Sequence, residues 1–470
     1  MGRKPKVCPA AHASGFLLLC RFIVKRPHAE PANIPRFCLV ISRRMCFIGG
    51  MKCSVSVLLL LLCMTTAHAA NWPSWRGPHN DGTCDETGLP TKWSATDNVA
   101  WSVELPDRGN STPVVWGGKV FVTQSVEAEG RRLVLCFDKK TGKKLWEAGT
   151  TYKEPETTHP TNPYCSASPV TDGERVIASF ASAGVFCFDL NGKELWHRDL
   201  GQLHHIWGNG ASPVLANGLC YLNFGPSSEA TMLVALDPKT GKTVWQHEEL
   251  MRASGEVGKI PKVGFYGSWS DPLPREIDGR AQLITNWPYR VCSVDAKTGE
   301  EIWTCEGLNP LVYTSPLLSD GIVVAMGGFN GMDLAVKTGG KGDVTSSLRL
   351  WQHPKSPQRI GSGVVHDGHI YILNDPGTAQ CIDLKTGETV WLERLKGPGP
   401  TGQNWSSLVL SEGRCYAVNQ GGDAFVFKAS PTFELLATNS MGEKIIGSIA
   451  VSDGQLFIRG HKHLFCIGKR

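Results

Sequence analysis

The sequence predicts an all-β fold, an eight-bladed β-propeller made of four-stranded blades. The first observation is a recurrent strand-turn-strand segment, whose fullest form is LVALDPKTGKTVW at 233–245. The second is a separate strand start, mostly Ser or Thr followed by Pro and apolar residues, that occurs between these segments. The third is that eight such starts occur along the chain. Small units repeated at intervals of tens of residues are typical of propellers.

The recurrent segment carries Asp, Gly and Trp at constant spacing, and we interpret these as structural residues. Asp and Thr side chains can satisfy turn amides, and Gly readily adopts a positive φ. We expect each Trp, on an outermost strand, to pack against the next blade. The four complete copies place these residues at Asp138, Gly142, Trp146, Asp237, Gly241, Trp245, Asp295, Gly299, Trp303, Asp383, Gly387 and Trp391.

The position two residues before the turn Asp is small. It is occupied by Cys136, Cys187, Ala235, Ser293 or Cys381. A position that accepts Cys, Ala or Ser is predicted to be a tight buried slot, so we expect its thiols to be unpaired. Exported proteins often contain disulfides, which leaves Cys84, Cys165 and Cys305 as candidates for pairing.

The strand starts divide the chain into eight units. The eight strand starts are Thr112, Ser168, Ser212, Asp271, Ser315, Ser362, Ser407 and Ser448. The last unit ends near Phe465 without an outer strand, whereas residues 99–105 (VAWSVEL) form an outer strand without a unit. We predict that residues 99–105 pair with the C-terminal blade and close the ring, so that no inter-blade edge stays open. We expect irregularity at 337–348 in blade 5 and at 433–436 in blade 7.

The N-terminal region precedes the predicted propeller domain, which spans 99–470. Residues 51–69 have the charged, apolar and small-residue zones of a cleaved signal peptide, and their apolar run is too short to span a membrane. Residues 1–50 are interpreted as an extension that is disordered or reflects a start codon assigned too early. Residues 70–98 then form an N-terminal segment. The product is expected to be exported to the periplasm or outside the cell.

The net charge of the complete chain is +5, but its basic character lies in the N-terminal region. Residues 1–70 contain ten of the 48 Lys and Arg residues and one of the 43 acidic residues. The remaining 400 residues therefore carry a net charge of −4. Nucleic-acid binding requires a basic surface that displaces counterions, so the composition argues against that class of partner.

The AxDxxTGxxxW pattern resembles the pyrroloquinoline-quinone (PQQ) repeat of quinoprotein dehydrogenases. Ala235, Asp237, Thr240, Gly241 and Trp245 carry it here. The chain is also similar to the propeller of the outer-membrane assembly factor BamB. Its opening NWPSWRGPHNDG, at 71–82, is similar to the start of exported bacterial PQQ-like repeat proteins. The resemblance covers nearly all of 71–470 and implies a propeller fold. It does not specify a function, because scaffolds and enzymes share the repeat.

Functional residues are expected in the loops that precede the strand starts, because these loops converge on one face of a propeller. Their aromatic, amide and basic side chains could stack on and hydrogen-bond a sugar, a peptide or a quinone. The alternative is that Trp207, Trp269 and Trp405 merely plug the channel. The candidate ligand-binding residues are Asn110, Tyr164, His204, His205, Trp207, Asn209, Tyr266, Trp269, Tyr313, Arg359, Asn404 and Trp405.

Enzymatic motifs are absent from the sequence, which contains no GxSxG, HExxH or CxxC. We therefore assign no catalytic or metal-binding residues and favour a monomeric scaffold that binds a protein or polysaccharide. The resemblance leaves two alternatives, a PQQ-dependent dehydrogenase that uses Ca²⁺ and a BamB-like envelope component. Against the dehydrogenase, the chain lacks the adjacent cysteine pair of that family, although Asn404 and Trp405, or Asn209 and Trp207, could imitate an Asn ligand and an aromatic floor.

Overall fold

The computed structural model describes residues 70–226, 230–250, 252–253, 256–257, 266–328, 331–400 and 402–469. The chain divides into two units, 1–65 and 66–470, and every described residue belongs to the second unit. The predicted extension 1–50 and signal peptide 51–69 lie outside the described residues. In the described part, no helix is long and apolar enough to cross a membrane. Within these ranges, 3₁₀ turns form at Glu127–Glu129 and Ala181–Ala183.

Eight blades of four antiparallel strands are formed by the described residues, and the sheet of blade 4 gains a fifth, parallel strand; the predicted fold class is confirmed. We label the strands of each blade A to D, from the innermost to the outermost. Blade 1 comprises Val114–Trp116, Lys119–Val126, Arg131–Asp138 and Lys144–Thr151. Blade 2 comprises Val170–Thr171, Arg175–Ser179, Val185–Asp189 and Glu194–Arg198. Blade 3 comprises Val214–Ala216, Leu219–Phe224, Ala230–Leu236 and Thr243–Leu250. Blade 4 comprises Leu273–Ile277, Arg280–Trp287, Arg290–Asp295 and Glu301–Glu306.

The second half of the chain continues the same order. Blade 5 comprises Leu317–Ser319, Ile322–Met326, Asp333–Lys337 and Arg349–His353. Blade 6 comprises Val364–His366, His369–Asn374, Thr378–Asp383 and Thr389–Arg394. Blade 7 comprises Val409–Ser411, Arg414–Val418, Asp423–Lys428 and Leu435–Ser440. Blade 8 comprises Ala450–Ser452, Gln455–Arg459, His463–Ile467 and, as its strand D, Val99–Glu104. Short accessory strands are Arg252–Ala253, Glu256–Val257, Gly267–Ser268, Leu311–Val312 and Gly342–Asp343.

Strand D of blade 8 comes from the opposite end of the propeller sequence. Val99–Glu104 pairs antiparallel with His463–Ile467, and Trp101 lies opposite Cys466. The backbone N–H of Leu105 continues the ladder by donating to the carbonyl oxygen of Lys462, at 2.7 Å. The predicted pairing of residues 99–105 with the C-terminal blade is therefore confirmed.

A closed cycle of hydrogen bonds joins the eight strand starts. The backbone N–H of each start donates to the side-chain oxygen of the start in the next blade, over 2.7 to 3.1 Å. The last bond runs from Ser448 N to Thr112 Oγ1, at 2.9 Å, and returns the cycle to blade 1. All eight starts are buried. Each buried amide thus gains a partner from its neighbour, which avoids the cost of an unsatisfied donor.

The outer strands are joined by the Trp residues, as the sequence predicts. Trp196 of blade 2 donates its indole N–H to the carbonyl oxygen of Pro238 in the C–D turn of blade 3, at 2.9 Å. Its ring also covers Gly241 of that turn, where a Cβ would lie 2.6 Å from the ring. The same indole bond is made by Trp101, Trp146, Trp245, Trp351 and Trp391. The turn Gly therefore serves two purposes, a positive φ and an open surface for the indole.

The carboxylate of each turn Asp accepts backbone amides within its own turn. Asp237 Oδ1, for example, accepts the N–H of Lys239 at 2.8 Å and that of Thr240 at 3.0 Å. Equivalent bonds form at Asp138, Asp295 and Asp383. These amides and neighbouring groups lower the pKa of all four carboxyl groups.

The small slot before each turn Asp lies directly opposite the Trp of strand D. Cys136 pairs with Trp146 and Ala235 with Trp245, and the ladder bulges immediately beyond each pair. The slot residues are fully buried, so a larger side chain would displace the indole. All ten cysteines in the described part of the chain are free thiols. These include Cys84, Cys165 and Cys305, for which the sequence left disulfides open.

Blades 5 and 7 depart from the pattern where irregularity was predicted. In blade 5, the Asp-Gly turn between strands C and D is replaced by the longer connection 338–348. Within it, Gly342–Asp343 pairs parallel with strand D of blade 4, at Trp303 and Thr304. Trp303 is buried, and its Nε1 has no hydrogen-bond partner within the described ranges. In blade 7, Phe433 packs edge-on against Trp391 of blade 6, at a centroid distance of 5.0 Å.

Residues 70–98 cross the face of the ring that carries the A–B and C–D turns. Trp72 exchanges two backbone hydrogen bonds of 2.9 Å with Val115 of blade 1. Cys84 donates its backbone N–H to the carbonyl oxygen of Leu410 in blade 7, at 3.1 Å. The carboxylate of Glu86 accepts the backbone N–H of Asp453 in blade 8. This N-terminal segment is therefore an integral part of the propeller.

Arg76 anchors the middle of the N-terminal segment. Its side chain is buried, and Nη1 donates to the carbonyl oxygen of Leu408 in blade 7, at 2.9 Å. Nη2 donates to the carbonyl oxygen of Gly363 in blade 6. Burial lowers the pKa of Arg76 to about 10, although the carboxylates of Asp81 and Asp271 oppose that effect. One side chain thus fastens the segment to two blades and keeps its charge.

The contact between Trp196 and the turn Gly generates a stability prediction. Gly241→Ala places a Cβ at φ +70° and 2.6 Å from the indole, so we expect a loss of roughly 2–4 kcal/mol in the free energy of unfolding. The matched control is Gly218→Ala in the same blade, where φ is +76° and no atom lies within 4 Å of the added Cβ. We expect the control to lose about 1–2 kcal/mol, from backbone strain alone. Urea unfolding followed by Trp fluorescence measures both, and equal losses would contradict the indole contribution.

Candidate functional site

The candidate site is the loop face, which we define as the face formed by the D–A and B–C connections. All twelve candidate ligand-binding residues lie on D–A connections. These connections comprise residues 105–113, 152–169, 199–213, 266–272, 307–316, 354–363, 395–400 with 402–408, and 441–449. The N-terminal segment crosses the opposite face.

Three rings from successive D–A connections form an aromatic ladder. His205 meets Trp269 edge-on at a centroid distance of 5.0 Å, and Trp269 stacks on Tyr313 at 4.9 Å with an interplanar angle of 18°. Trp269 Nε1 also donates to the carbonyl oxygen of Gly208, at 2.8 Å. Trp269 and Tyr313 are half-buried, so each retains accessible surface. The ladder therefore joins blades 2 to 5 along the loop face.

His205 is the buried end of the ladder. Nε2 donates to the carbonyl oxygen of Tyr266, at 3.1 Å, and Nδ1 accepts the backbone N–H of Trp207, at 3.2 Å. These two bonds fit the neutral ring. Burial lowers the pKa of His205 to about 4, so the imidazole is neutral at physiological pH. His205 therefore supports the ladder, whereas its neighbour His204 is exposed.

Trp207 extends the aromatic surface towards blade 1. Its ring packs against His159 at a centroid distance of 4.6 Å. Trp207 Nε1 is buried and has no hydrogen-bond partner in the part of the chain that the structure describes. Nearby, Asn209 donates to the carbonyl oxygen of Gly225, and Asn110 donates to that of Thr161.

Asn404 forms a polar pair with Asp375 between blades 6 and 7. The backbone N–H of Asn404 donates to Asp375 Oδ1, and Asn404 Nδ2 donates to the carbonyl oxygen of Asn374, at 3.0 Å. Burial raises the pKa of Asp375 to about 6, although the bonds from Asn404 oppose that effect. Asp375 Oδ2 and Asn404 Oδ1 have no hydrogen-bond partner among the described residues, and neither has Nε1 of the adjacent Trp405.

Arg359 is fully buried beneath the loop face. Its Nη1 lies 2.9 Å from Oδ2 of Asp333, which is also buried, and 3.0 Å from the sulfur of Met326. An arginine placed this way can support the loops around it but presents no charge at the surface. Tyr266 is likewise buried, at 1% exposure.

Tyr164 lies in a separate cleft between blades 1 and 3, lined also by Glu156, Ser179 and Asn209. The guanidinium carbon of Arg132 lies 3.9 Å from the centroid of the Tyr164 ring, in cation–π contact. The Tyr164 hydroxyl donates to the main-chain oxygen of Glu156, at 2.9 Å. Glu156, Ser179 and Arg132 were not among the predicted site residues, because none of them belongs to an aromatic or amide-rich motif.

Comparisons with known proteins agree with this architecture. The family model described as outer membrane protein assembly factor BamB matches residues 84–232 and 228–466. The match covers most of the chain, so this protein belongs to that family of PQQ-like repeat propellers. The resemblance predicted from the repeat motif is therefore confirmed.

Curated relatives include both an outer membrane protein assembly factor and a dehydrogenase. The BamB of Nitrosomonas eutropha is 22% identical over 210 residues, which are 38% of this chain and 50% of that protein. The quinoprotein ethanol dehydrogenase of Pseudomonas aeruginosa is 24% identical over 275 residues, which are 50% of this chain and 42% of that protein. The matches thus span half or less of the length of these relatives.

Solved structures show the same fold at low sequence identity. BamB from Moraxella catarrhalis superposes with a TM-score of 0.55 at 13% identity, covering 79% of this chain and 97% of that one. A europium-containing methanol dehydrogenase superposes with a TM-score of 0.62 at 12% identity, covering 85% and 98%. These likenesses concern the fold alone.

Burial of His205 predicts a specific pH dependence of stability. Its folded-state pKa of about 4 lies below the usual value of 6.5, so between these values the unfolded chain binds more protons and the folded state loses stability as pH falls. We expect the His205→Asn variant to have a lower melting temperature than the wild type at pH 7. Between pH 6.5 and 4.5, however, its melting temperature should fall less than that of the wild type. Thermal unfolding at a series of pH values measures this, with exposed His204→Asn as the control. Parallel pH profiles for all three proteins would contradict it.

Proposed function

We propose that this chain is a non-catalytic, exported propeller that binds a protein partner through its loop face. The observation that carries the proposal is the combination of half-buried aromatic rings with buried polar atoms that lack partners within the described ranges. Trp and Tyr dominate the binding energy of protein interfaces because they bury a large area and retain one polar group.

The polar atoms of the loop face include both donors and acceptors. Trp207 Nε1 and Trp405 Nε1 can donate, whereas Asp375 Oδ2, Asn404 Oδ1 and Asn110 Oδ1 can accept, and none has a partner in the described part of the chain. A peptide backbone offers the complementary set, one donor and one acceptor for most residues. Satisfying these buried atoms would favour an extended segment of a partner laid across the aromatic ladder.

The opposite face supports this choice of surface. The N-terminal segment crosses it and hydrogen-bonds Val115 of blade 1, Leu410 of blade 7 and Asp453 of blade 8, so that face is partly covered by the chain itself. The loops of the other face are held by rigid blades, which limits the entropy lost on binding. The match to a family described as an assembly factor is also consistent with a binding role.

Export is part of the proposal. Residues 51–69 have the zones of a cleaved signal peptide, which would direct the propeller to the periplasm or outside the cell. A BamB-like envelope role is the specific form of scaffold that the family match favours.

The docking proposal is tested by removing three indoles together. We expect Trp207→Ala, Trp269→Ala and Trp405→Ala in combination to abolish retention of a discrete partner from the extracytoplasmic fraction, while circular dichroism shows intact strands. The control is Leu392→Ala, which changes a side chain 53% exposed on strand D of blade 6. Retention that persists in the triple variant would refute the docking face, and global unfolding would show instead that these indoles are structural plugs.

We propose PQQ-dependent oxidation as a second candidate function. Its basis is that Asp375 places an acidic group beside Asn404, a pairing that was not predicted from the sequence. An amide oxygen and a carboxylate oxygen are suitable Ca²⁺ ligands. The fit is incomplete, since the sequence has no adjacent cysteine pair and the described residues contain no cluster of three His, Cys, Asp or Glu side chains.

The quinoprotein candidate predicts binding of PQQ with Ca²⁺. If it holds, thermal unfolding of the 71–470 protein with both ligands should shift the melting temperature upwards by several degrees, and Asp375→Asn should reduce the shift. The matched control is Asp367→Asn, an exposed carboxylate on the A–B turn of the same blade. A flat titration would remove this candidate and leave the scaffold proposal intact.

A further inference from the structure

We propose that the α-amino group of Ala70, created when residues 1–69 are removed, forms an ion pair with Asp453 that stabilises the closure of the ring. The inference rests on the export proposed above, because it needs cleavage after Ala69. The small residues Ala67 and Ala69 fit the pattern that a signal peptidase recognises. The ion pair lies on the face opposite the loop face, so it is separate from the proposed docking surface.

The structure places Ala70 at the point where the two ends of the propeller meet. Ala70 donates its backbone N–H to Asp453 Oδ1, at 2.9 Å. Its carbonyl oxygen accepts the hydroxyl of Ser452. Ser452 and Asp453 belong to strand A and the A–B turn of blade 8, the blade that Val99–Glu104 completes. The nitrogen that cleavage would turn into the chain terminus is therefore already bonded to a carboxylate.

Lys139 contacts the second oxygen of the same carboxylate. Its ammonium group lies 2.5 Å from Asp453 Oδ2 and 2.7 Å from Ser452 Oγ. Lys139 belongs to the C–D turn of blade 1, and its carbonyl oxygen accepts the indole N–H of Trp101, at 2.8 Å. Asp453 thus joins blade 1, blade 8 and the start of the N-terminal segment through its two oxygens.

The charges of this junction balance only after cleavage. Glu86 accepts the backbone N–H groups of Asp453 and Gly454, at 2.7 and 2.9 Å, so its carboxylate belongs to the same junction. In the uncleaved chain Ala70 contributes a neutral amide, and the two carboxylates share the ammonium group of Lys139. Cleavage adds a second positive charge at the nitrogen that bonds Asp453. A charged donor binds a carboxylate more strongly than a neutral amide does.

The turn position of Asp453 does not by itself require a charge. Asp at positive φ occupies the same A–B turn position in three other blades, at Asp278, Asp320 and Asp367. Asp and Asn adopt this conformation more readily than most residues. The carboxylate of Asp453 is distinguished by its partners Ala70 and Lys139, which come from outside blade 8. Its contribution therefore extends beyond the shape of the turn.

The ion pair gives the closure a specific pH dependence. The pKa of an unperturbed α-amino group lies slightly above neutral pH, and a bonded carboxylate raises it in the folded state. The folded protein then binds this proton more tightly than the unfolded chain does, so stability falls as pH rises through the folded-state pKa. The other charged groups of the junction, Lys139 and Glu86, are unchanged in a protein acetylated at its α-amino group, which is therefore the reference.

The first measurement is the mass of the protein purified from the extracytoplasmic fraction, which identifies its N-terminus. We expect the chain to begin at Ala70. A chain that begins at Asn71 would overturn the ion pair, because the bonded nitrogen would be absent. A chain that keeps residues 51–69 would refute the export on which the inference rests.

The second measurement is hydrogen exchange before and after selective acetylation of the α-amino group, which removes its charge and keeps one N–H donor. We expect exchange in peptides that cover 70–104 and 450–467 to become about three- to fivefold faster after acetylation, because the closure opens more often. This ratio should shrink as pH rises from 7 to 9. Equal exchange of the two forms at pH 7 would overturn the ion pair, and this comparison needs no variant.

Asp453→Asn tests the carboxylate itself. Asn can adopt the turn conformation and keeps an oxygen acceptor, so we expect acetylation to leave the exchange of this variant unchanged. The matched control is Asp320→Asn, at the same turn position in blade 5, where acetylation should accelerate exchange as in the wild type. An equal acetylation effect in both variants would contradict the assignment of Asp453. Partner retention on the loop face should not change on acetylation, so the docking proposal succeeds or fails separately.

Discussion

The propeller depends on a hydrogen bond that is repeated eight times, from the amide of one strand start to the side-chain oxygen of the next. Each bond lies in the buried centre, so every A strand needs its neighbour to satisfy its first amide. Asp271 fits the same cycle as the Ser and Thr residues because a carboxylate oxygen accepts the amide of Ser212 at 2.7 Å. The indole contacts at the rim repeat this dependence at six positions, where a Trp on strand D bonds the C–D turn of the following blade.

The repeat made most of the fold predictable. A constant interval between Asp and Trp fixes the C–D turn, and the small slot before Asp matches the indole that lies opposite it. Pairing of 99–105 with the last blade followed from counting strands. The hydrogen-bonded cycle and the path of Arg76 were not predicted, because their partners lie in other blades and only the closed ring brings them together.

The candidate site was predictable only in part, for the same physical reason. Residue type and loop position placed the aromatic side chains on one face, but they could not show which rings stack. They also could not show that Arg359 pairs with Asp333 below the surface, or that Asp375 meets Asn404. Glu156, Ser179 and Asn209 belong to three different segments, and their shared cleft exists only after blades 1 to 3 have packed. The family relatives do not resolve this, because they share the fold at low identity.

Closure by Val99–Glu104 has a consequence for the biogenesis of the protein. The first strand of the propeller to leave the ribosome pairs with one of the last, His463–Ile467, so it has no native partner until translation is almost complete. The final blade therefore cannot be completed during synthesis, and the ring of blades stays open until that pairing occurs. Until then the edge of strand C in blade 8 stays open to pairing with another chain.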